Sequence, residues 1–156
     1  MSALTGEKRR LTRSPQGFYG DLMPAFSPDG RTLAFSRRHG FSVSQVYLLP
    51  LSTSFEVAGP PRLLTRQDQS VQNPVWIHDG LRILYLFGNL GSWPFELRTI
   101  NVSGSEAPEP VPLAENNIVQ LSLGRHLVYS RRSGDDNIWI AEIPPRESLP
   151  AGLSGP

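Results

Sequence analysis

The feature that most constrains the fold of this chain is an internal repeat with a period of 44 to 50 residues. The stretch PAFSPDGRTLAFSRR begins at Pro24, and PVWIHDGLRILYLFG begins at Pro74. IVQLSLGRHLVYSRR, from Ile118, is a looser third copy. A second motif recurs as QVYLLPL, ELRTINV and NIWIAEI, at Gln45–Leu51, Glu96–Val102 and Asn137–Ile143. A repeat of this length is typical of propellers and solenoids.

Each full unit contains four short strands. In the first unit these are predicted at Pro24–Ser27, Thr32–Arg37, Gln45–Leu51 and Arg62–Thr65. The last of them, RLLT, has counterparts in RRLT at Arg9–Thr12 and in the divergent VPLA at Val111–Ala114. Four strands per period predict an all-β chain of β-propeller blades, each a four-stranded antiparallel sheet. About three blades are present, which makes the chain a partial or open propeller, since closed propellers have roughly four to eight blades.

The repeat also predicts how the chain is divided. Residues 1–12, with the polar strand Glu7–Thr12, form the outer strand of a preceding or partner blade. Residues 13–65 form the first blade, 66–114 the second and 115–144 an incomplete third. Residues 145–156 are rich in Pro, Gly and Ser, so we expect a disordered tail there.

The hairpin in each unit carries turn chemistry. In Pro-Asp-Gly, proline sets φ, aspartate bonds its own backbone and glycine takes a positive φ. We therefore assign structural turn roles to Asp29, Gly30, Asp79 and Gly80, and also to Gly124 in the third unit, where Ser-Leu replaces Pro-Asp. A place in the repeat explains these carboxylates fully, so they are not predicted to be catalytic.

These motifs resemble a known family. PAFSPDGRTLAFSRR, followed by VYLLPL and PRLLT, resembles the repeat of TolB-like propellers, which are WD-like repeats with a Ser-Pro-Asp-Gly hairpin. With TGEKRRLT and DDNIWIAEI, the chain looks most similar to bacterial proteins that join a winged-helix domain to such a propeller. The resemblance covers roughly residues 5–143 and implies a noncatalytic propeller.

No arrangement of residues predicts catalysis, a cofactor or a metal. The chain has no cysteine, and its histidines never form a close pair of the kind that metal sites need. A nucleophile elbow and a glycine-rich phosphate loop are also missing. A formal net charge of +1 gives no reason to expect nucleic acid as a partner of this chain. No apolar stretch approaches the length of a membrane span.

One surface pattern is a candidate partner-binding face. Loops that follow the second strands of blades open on one rim of a propeller. The residues expected there are Arg37, Arg38, Phe87, Trp93, Phe95, Arg131 and Arg132. A basic–aromatic–basic arc of this kind suits an acidic or extended peptide. The alternative is that the arginines are solvated and the aromatic side chains seal the seams between blades.

Three functions follow from this fold. The first is a protein-interaction or sensing module, part of a larger protein, with a protein or peptide partner. The second is an accessory propeller of a prolyl-oligopeptidase-like peptidase, and the third is the sensory propeller of a winged-helix regulator. The TolB resemblance implies the periplasm, whereas a regulator would be cytoplasmic or membrane-tethered. An open arc also predicts self-association that closes the propeller, since its end strands are unpaired.

Overall fold

The structure of the chain is a computed structural model that describes residues 8–89, 95–112, 118–123, 126–133 and 135–141. Every regular element in these ranges is a β-strand. The strands are β1 Gly20–Phe26, β2 Thr32–Arg38, β3 Ser44–Pro50, β4 Arg62–Leu63, β5 Ser70–Trp76, β6 Arg82–Gly88, β7 Glu96–Asn101, β8 Glu109–Pro110, β9 Ile118–Leu123, β10 Leu127–Ser133 and β11 Asp135–Ala141. The described ranges include no helix with the length and apolarity needed to cross a lipid bilayer.

Consecutive strands pair antiparallel in three groups, which we call blades. Blade 1 is β1 to β4, blade 2 is β5 to β8, and blade 3 is β9 to β11. One parallel pair, Ser44 with Ser70, joins β3 to β5, and the two hydroxyl oxygens lie 2.7 Å apart. The prediction of an all-β chain of antiparallel blades in an open propeller is confirmed.

The hairpins of blades 1 and 2 have the same geometry. Gly30 N donates to the Ser27 carbonyl and Gly80 N to that of Ile77, both at 2.9 Å. Gly30 has φ 69° and Gly80 has φ 67°, in the left-handed region that glycine adopts at no steric cost. The strand-to-strand connection therefore depends on these two glycines.

Replacing either glycine with valine should lower the free energy of unfolding by more than the ~1 kcal/mol of a typical point mutation, because a β-branched residue is strained at this φ. Gly40→Val is the matched control, since nothing lies within 4 Å of a Cβ there and its φ lies outside the left-handed region. Thermal unfolding of the three variants is the measurement. Equal melting temperatures for Gly30→Val, Gly80→Val and the wild type would contradict the turn assignment.

Blade 3 departs from the predicted register at its hairpin. Ser122 and Leu123, aligned in the sequence with the turn residues Pro-Asp, belong to β9 instead. The connection to β10 is shorter than in blades 1 and 2, so the first strand of the third copy is displaced relative to the ungapped alignment. Gly124 lies outside the described residues.

The fourth strand of blade 2 also differs from the prediction. It lies at Glu109–Pro110, two residues before the predicted start at Val111. The Val111 N–H donates to the Leu97 carbonyl at 2.8 Å, as Leu64 N does to the Val46 carbonyl in blade 1. Val111 is thus the counterpart of Leu64, two residues from the predicted alignment, while Leu113 and Ala114 lie outside the described residues.

The core consists of the seams between blades. Strand β6 is buried along its whole length because it is covered on both faces. Ile83 and Tyr85 pack in the seam with blade 1, while Leu84 and Leu86 pack in the seam with blade 3. The nearly continuous apolar run LRILYLF had indicated this two-sided burial.

The N-terminal segment covers the free face of blade 1. Leu11 packs against the cluster of Leu33, Phe35, Leu49 and Leu51 on that face. Residues 8–15 form no strand within this chain. The predicted outer strand of residues 1–12 therefore stays a prediction, and so does the tail at 145–156, which lies outside the described residues.

Candidate functional site

The innermost strands β1, β5 and β9 line a groove of about 540 Å³. Its walls combine apolar and polar side chains, among them Met23, Asn73, Trp76, Gln120 and Ser122. Pockets that hold small ligands typically have volumes of about 300–1,000 Å³, so this groove has room for part of a partner molecule.

Two equivalent residues in the groove have strained backbones. Met23 has φ 53° and Asn73 has φ 52°, and each precedes a proline. Both residues lie in a β-bulge where the register with the next strand shifts. A left-handed φ in a residue other than glycine costs on the order of 1–3 kcal/mol, and such residues cluster at functional sites. Its recurrence in two blades makes the strain a built feature of the groove wall.

Asn73 connects the three inner strands. Its backbone N–H donates to Met23 Sδ at 3.2 Å, and its side-chain Nδ2 donates to the Leu121 carbonyl at 2.9 Å. The Trp76 indole N–H donates to the Ala25 carbonyl at 3.0 Å. These bonds hold the strained segments in place and fix the shape of the groove.

The third wall of the groove has a different form. Gln120, Leu121 and Ser122 pair one for one with residues of β10, so the bulge of the other blades is absent at this point. Gln120 and Ser122 are exposed. The groove is therefore asymmetric: two walls carry a left-handed residue, whereas the register shift of the third wall lies one residue before Gln120.

The predicted strands began at Pro24 and Pro74 and so excluded Met23 and Asn73. A signal was present in the sequence, because proline inside a strand is confined to edges and bulges. An inner strand with a proline at the same position in two units could have been assigned a bulge. The sequence did not indicate that the residue before each proline would be left-handed, since that position ordinarily favours extended backbone.

A second concave region lies between the hairpins of blades 1 and 2. This cleft of about 610 Å³ is bordered by Asp29, Arg62, Asp79 and Leu81. Asp29 Oδ1 accepts hydrogen bonds from Ser27 Oγ at 2.6 Å and from Arg31 N at 2.9 Å. These two bonds hold the pKa of Asp29 below its usual value.

Asp79 repeats the second of these bonds, with its Oδ1 accepting from Leu81 N at 2.8 Å. Both carboxylates therefore bond the backbone of their own turns.

Arg37 does not lie on an exposed binding face as the arc required. It is buried and forms a two-pronged ion pair with Asp21, with nitrogen–oxygen distances of 2.6 and 2.9 Å. Its guanidinium also lies over the rings of Phe35 and Tyr47, 5.2 and 4.8 Å from their centroids. The hydrogen bond to Asp21 raises the pKa of Arg37. The positive charge of Arg37 is therefore paired within blade 1 and does not face a partner. Neither the binding interpretation nor the solvated one describes this residue correctly.

The aromatic part of the arc is also buried. Phe95 packs in the seam between blades 2 and 3. Phe87 packs in the seam between blades 1 and 2, and Arg98 lies over its ring at 3.7 Å. These two side chains match the alternative interpretation, in which the aromatic residues seal the seams.

The other four residues of the arc are Arg38, Arg131, Arg132 and Trp93. Arg38 is half-buried, and its carbonyl accepts a hydrogen bond from Tyr19 N. Arg131 and Arg132 lie in β10, where the structure describes their backbone, and Trp93 is outside the described residues. A contact of these four residues with a partner stays a prediction.

His39 belongs to the same buried corner of blade 1. Its Nε2 lies 3.2 Å from the Tyr47 hydroxyl, and its ring lies 4.6 Å from that of Phe18. Burial, and then the charge of Arg37, lower the pKa of His39. Within the described ranges no group of three or more His, Asp or Glu side chains is placed to hold a metal ion.

Comparison with known proteins identifies the fold. No protein-family model matches the chain, and no curated protein matches it. Among solved structures it is similar to TolB from Acinetobacter baumannii, with a TM-score of 0.59 and 18% identity over 84% of this chain and 32% of that protein. It is also similar to a putative TolB from Agrobacterium tumefaciens, with a TM-score of 0.56 and 18% identity over 80% of this chain and 42% of that one.

The chain thus spans less than half the length of these two proteins. At this identity the likeness shows the fold, and the chain is built of TolB-like propeller blades. The more specific resemblance to winged-helix propeller proteins stays a prediction.

Proposed function

We propose that the chain is a noncatalytic protein-interaction or sensing module, part of a larger protein, with blades over residues 13–65, 66–114 and 115–144. It binds an extended segment of a protein partner in the groove along β1, β5 and β9. The observation that carries this proposal is the pair of left-handed residues, Met23 and Asn73, at equivalent points of the groove wall. Strain retained in two blades is consistent with a wall shaped for a ligand.

The chemistry of the groove favours a peptide over a small apolar ligand. An extended peptide presents backbone N–H and C=O groups that must find partners when they leave water. The exposed side chains of Gln120 and Ser122 supply such partners on one wall. On another wall, Met23 is 41% exposed and adds a polarisable thioether side chain to the apolar surface of the groove.

The test is selection of short random peptides, displayed on phage, against the immobilised chain. We expect enriched peptides to bind in solution and to lose roughly tenfold or more in affinity to the variant Ser122→Arg, which fills the groove from an exposed position. Leu81→Arg is the matched control, because it places the same side chain in the hairpin cleft instead. Calorimetry with the enriched peptides measures both variants.

Two results would contradict the proposal. One is the absence of any peptide enriched over the bare support. The other is binding that survives Ser122→Arg but is lost in Leu81→Arg, which would move the site to the hairpin cleft.

A further inference from the structure

The outward faces of blades 1 and 3 resemble the two sides of a seam between blades. Because the blades repeat, the burial of each residue on these faces can be compared with that of its counterpart inside the chain. In the third strand of blade 1, Val46 and Leu48 are buried in the seam with blade 2. The gapless alignment of the third-strand motif makes Ile138 and Ile140 their counterparts in blade 3. Those two side chains are 80% and 66% exposed. Residue type and strand position are the same, so the missing neighbour is what differs.

The other end shows the same contrast. Trp76 of blade 2 is 8% exposed because it packs against blade 1. Its counterpart in blade 1 is Phe26, which is 51% exposed and touches Phe55 edge to face. At its inner end, the free face of blade 1 therefore carries an exposed aromatic side chain where blade 2 has one buried in a seam.

The outer end of that face already holds a strand-like segment. Leu11 of RRLT packs on blade 1 as Leu64 of RLLT packs on blade 2. Arg9 donates to the carbonyls of Ser54 and Phe55, which anchors the segment. The segment therefore lies where the outermost strand of a preceding blade would lie.

Blade 3 has the complementary deficit. Its last described strand, β11, pairs with β10 on one side, and no fourth strand pairs with it among the described residues. A free edge of this kind, with apolar side chains beside it, favours the addition of a strand.

We propose that these 156 residues, as an isolated chain, associate head to tail in pairs and close a six-bladed ring. The face of blade 3 that carries Ile138 and Ile140 packs on the face of blade 1 that carries Phe26 in the partner. The partner's segment around Leu11 adds the fourth strand beside β11. A second copy fits best because each chain carries both halves of the seam, and the new seams continue the two that the chain already forms internally. A two-fold axis makes the two seams identical and leaves no apolar end.

The test is sedimentation of the full 156-residue chain at micromolar concentrations. We expect a discrete species of twice the 17.3 kDa chain mass. Ile140→Asp and Phe26→Asp should each weaken the dimer by roughly 100-fold or more, since each places a carboxylate in an apolar seam. Leu81→Asp is the matched control: Leu81 is 59% exposed and borders the hairpin cleft between blades 1 and 2, outside the two faces that would join, so it should leave the dimer intact. Circular dichroism checks that each variant keeps its fold.

Mixing the two disrupted variants tests the head-to-tail geometry. In a mixed ring, one seam carries both substitutions and the other carries neither. An equimolar mixture should therefore recover dimer that neither variant forms alone. Three results would overturn the proposal: a wild-type monomer at all these concentrations, a dimer insensitive to Phe26→Asp, or a size that grows without limit as in an open filament.

Discussion

Asp21→Ala should lower the free energy of unfolding by about 3–5 kcal/mol, because it leaves the Arg37 guanidinium buried without its counter-charge. Arg37 and Asp21 are both buried beyond nine-tenths of their side-chain surface. The stacked rings of Phe35 and Tyr47 attract the cation but do not replace two charge-assisted hydrogen bonds. Urea unfolding of the two proteins, followed by circular dichroism, measures the difference.

The repeat supplies the matched control. Asp21 faces Arg37 across β1 and β2, and at the same positions of blade 2 Val71 faces Phe87. The double variant Asp21→Val with Arg37→Phe copies that apolar pair into blade 1. We expect it to unfold within about 1–2 kcal/mol of the wild type, since apolar pairs often replace buried ion pairs without loss of stability. A single variant no less stable than the double one would show that the ion pair is not needed.

Trp76→Ala should cost about 3–5 kcal/mol, the range for truncating a large buried aromatic side chain. Trp76 fills the inner part of the seam between blades 1 and 2. Its loss also removes the indole donor to the Ala25 carbonyl and opens a cavity between two blades. Chemical unfolding at a protein concentration too low for association is the measurement.

Phe26→Ala is the internal control for this prediction. Phe26 holds the same repeat position, but half of its surface is exposed, so truncation should cost much less than at Trp76. Similar costs for the two substitutions would show that the seam does not account for the stability contributed by Trp76.

Sequence patterns predicted the strands that local chemistry specifies. The second strand of the first unit was predicted at Thr32–Arg37 and lies at Thr32–Arg38. The third was predicted at Gln45–Leu51 and lies at Ser44–Pro50. A continuous apolar run between turn signals identifies a strand covered on both faces, whichever blades cover it. That is why these elements could be read from a single sequence.

Prediction failed where the register depends on a partner strand. The first strand of blade 1 begins at Gly20, four residues before the predicted Pro24, because a bulge accommodates the proline. The shortened hairpin of blade 3 carries Ser122 into β9. Both outcomes are decided by which backbone groups find partners across the strand pair, and an alignment of side-chain types does not contain that information.

By itself the sequence determined the blade as a unit, with its number of copies and its glycine turns, because these follow from the side-chain period and from residue-specific φ preferences. Only the tertiary structure decided where Arg37 and the aromatic residues of the predicted binding rim lie. Arg37 was expected on a binding rim, yet Asp21, distant in sequence, draws it into the blade. Phe87 and Phe95 were expected in an exposed loop or a seam, and packing against neighbouring blades placed both in seams. Burial depends on which surfaces pack together in the folded chain. Those contacts are between residues that are distant in sequence, so residue spacing does not reveal them.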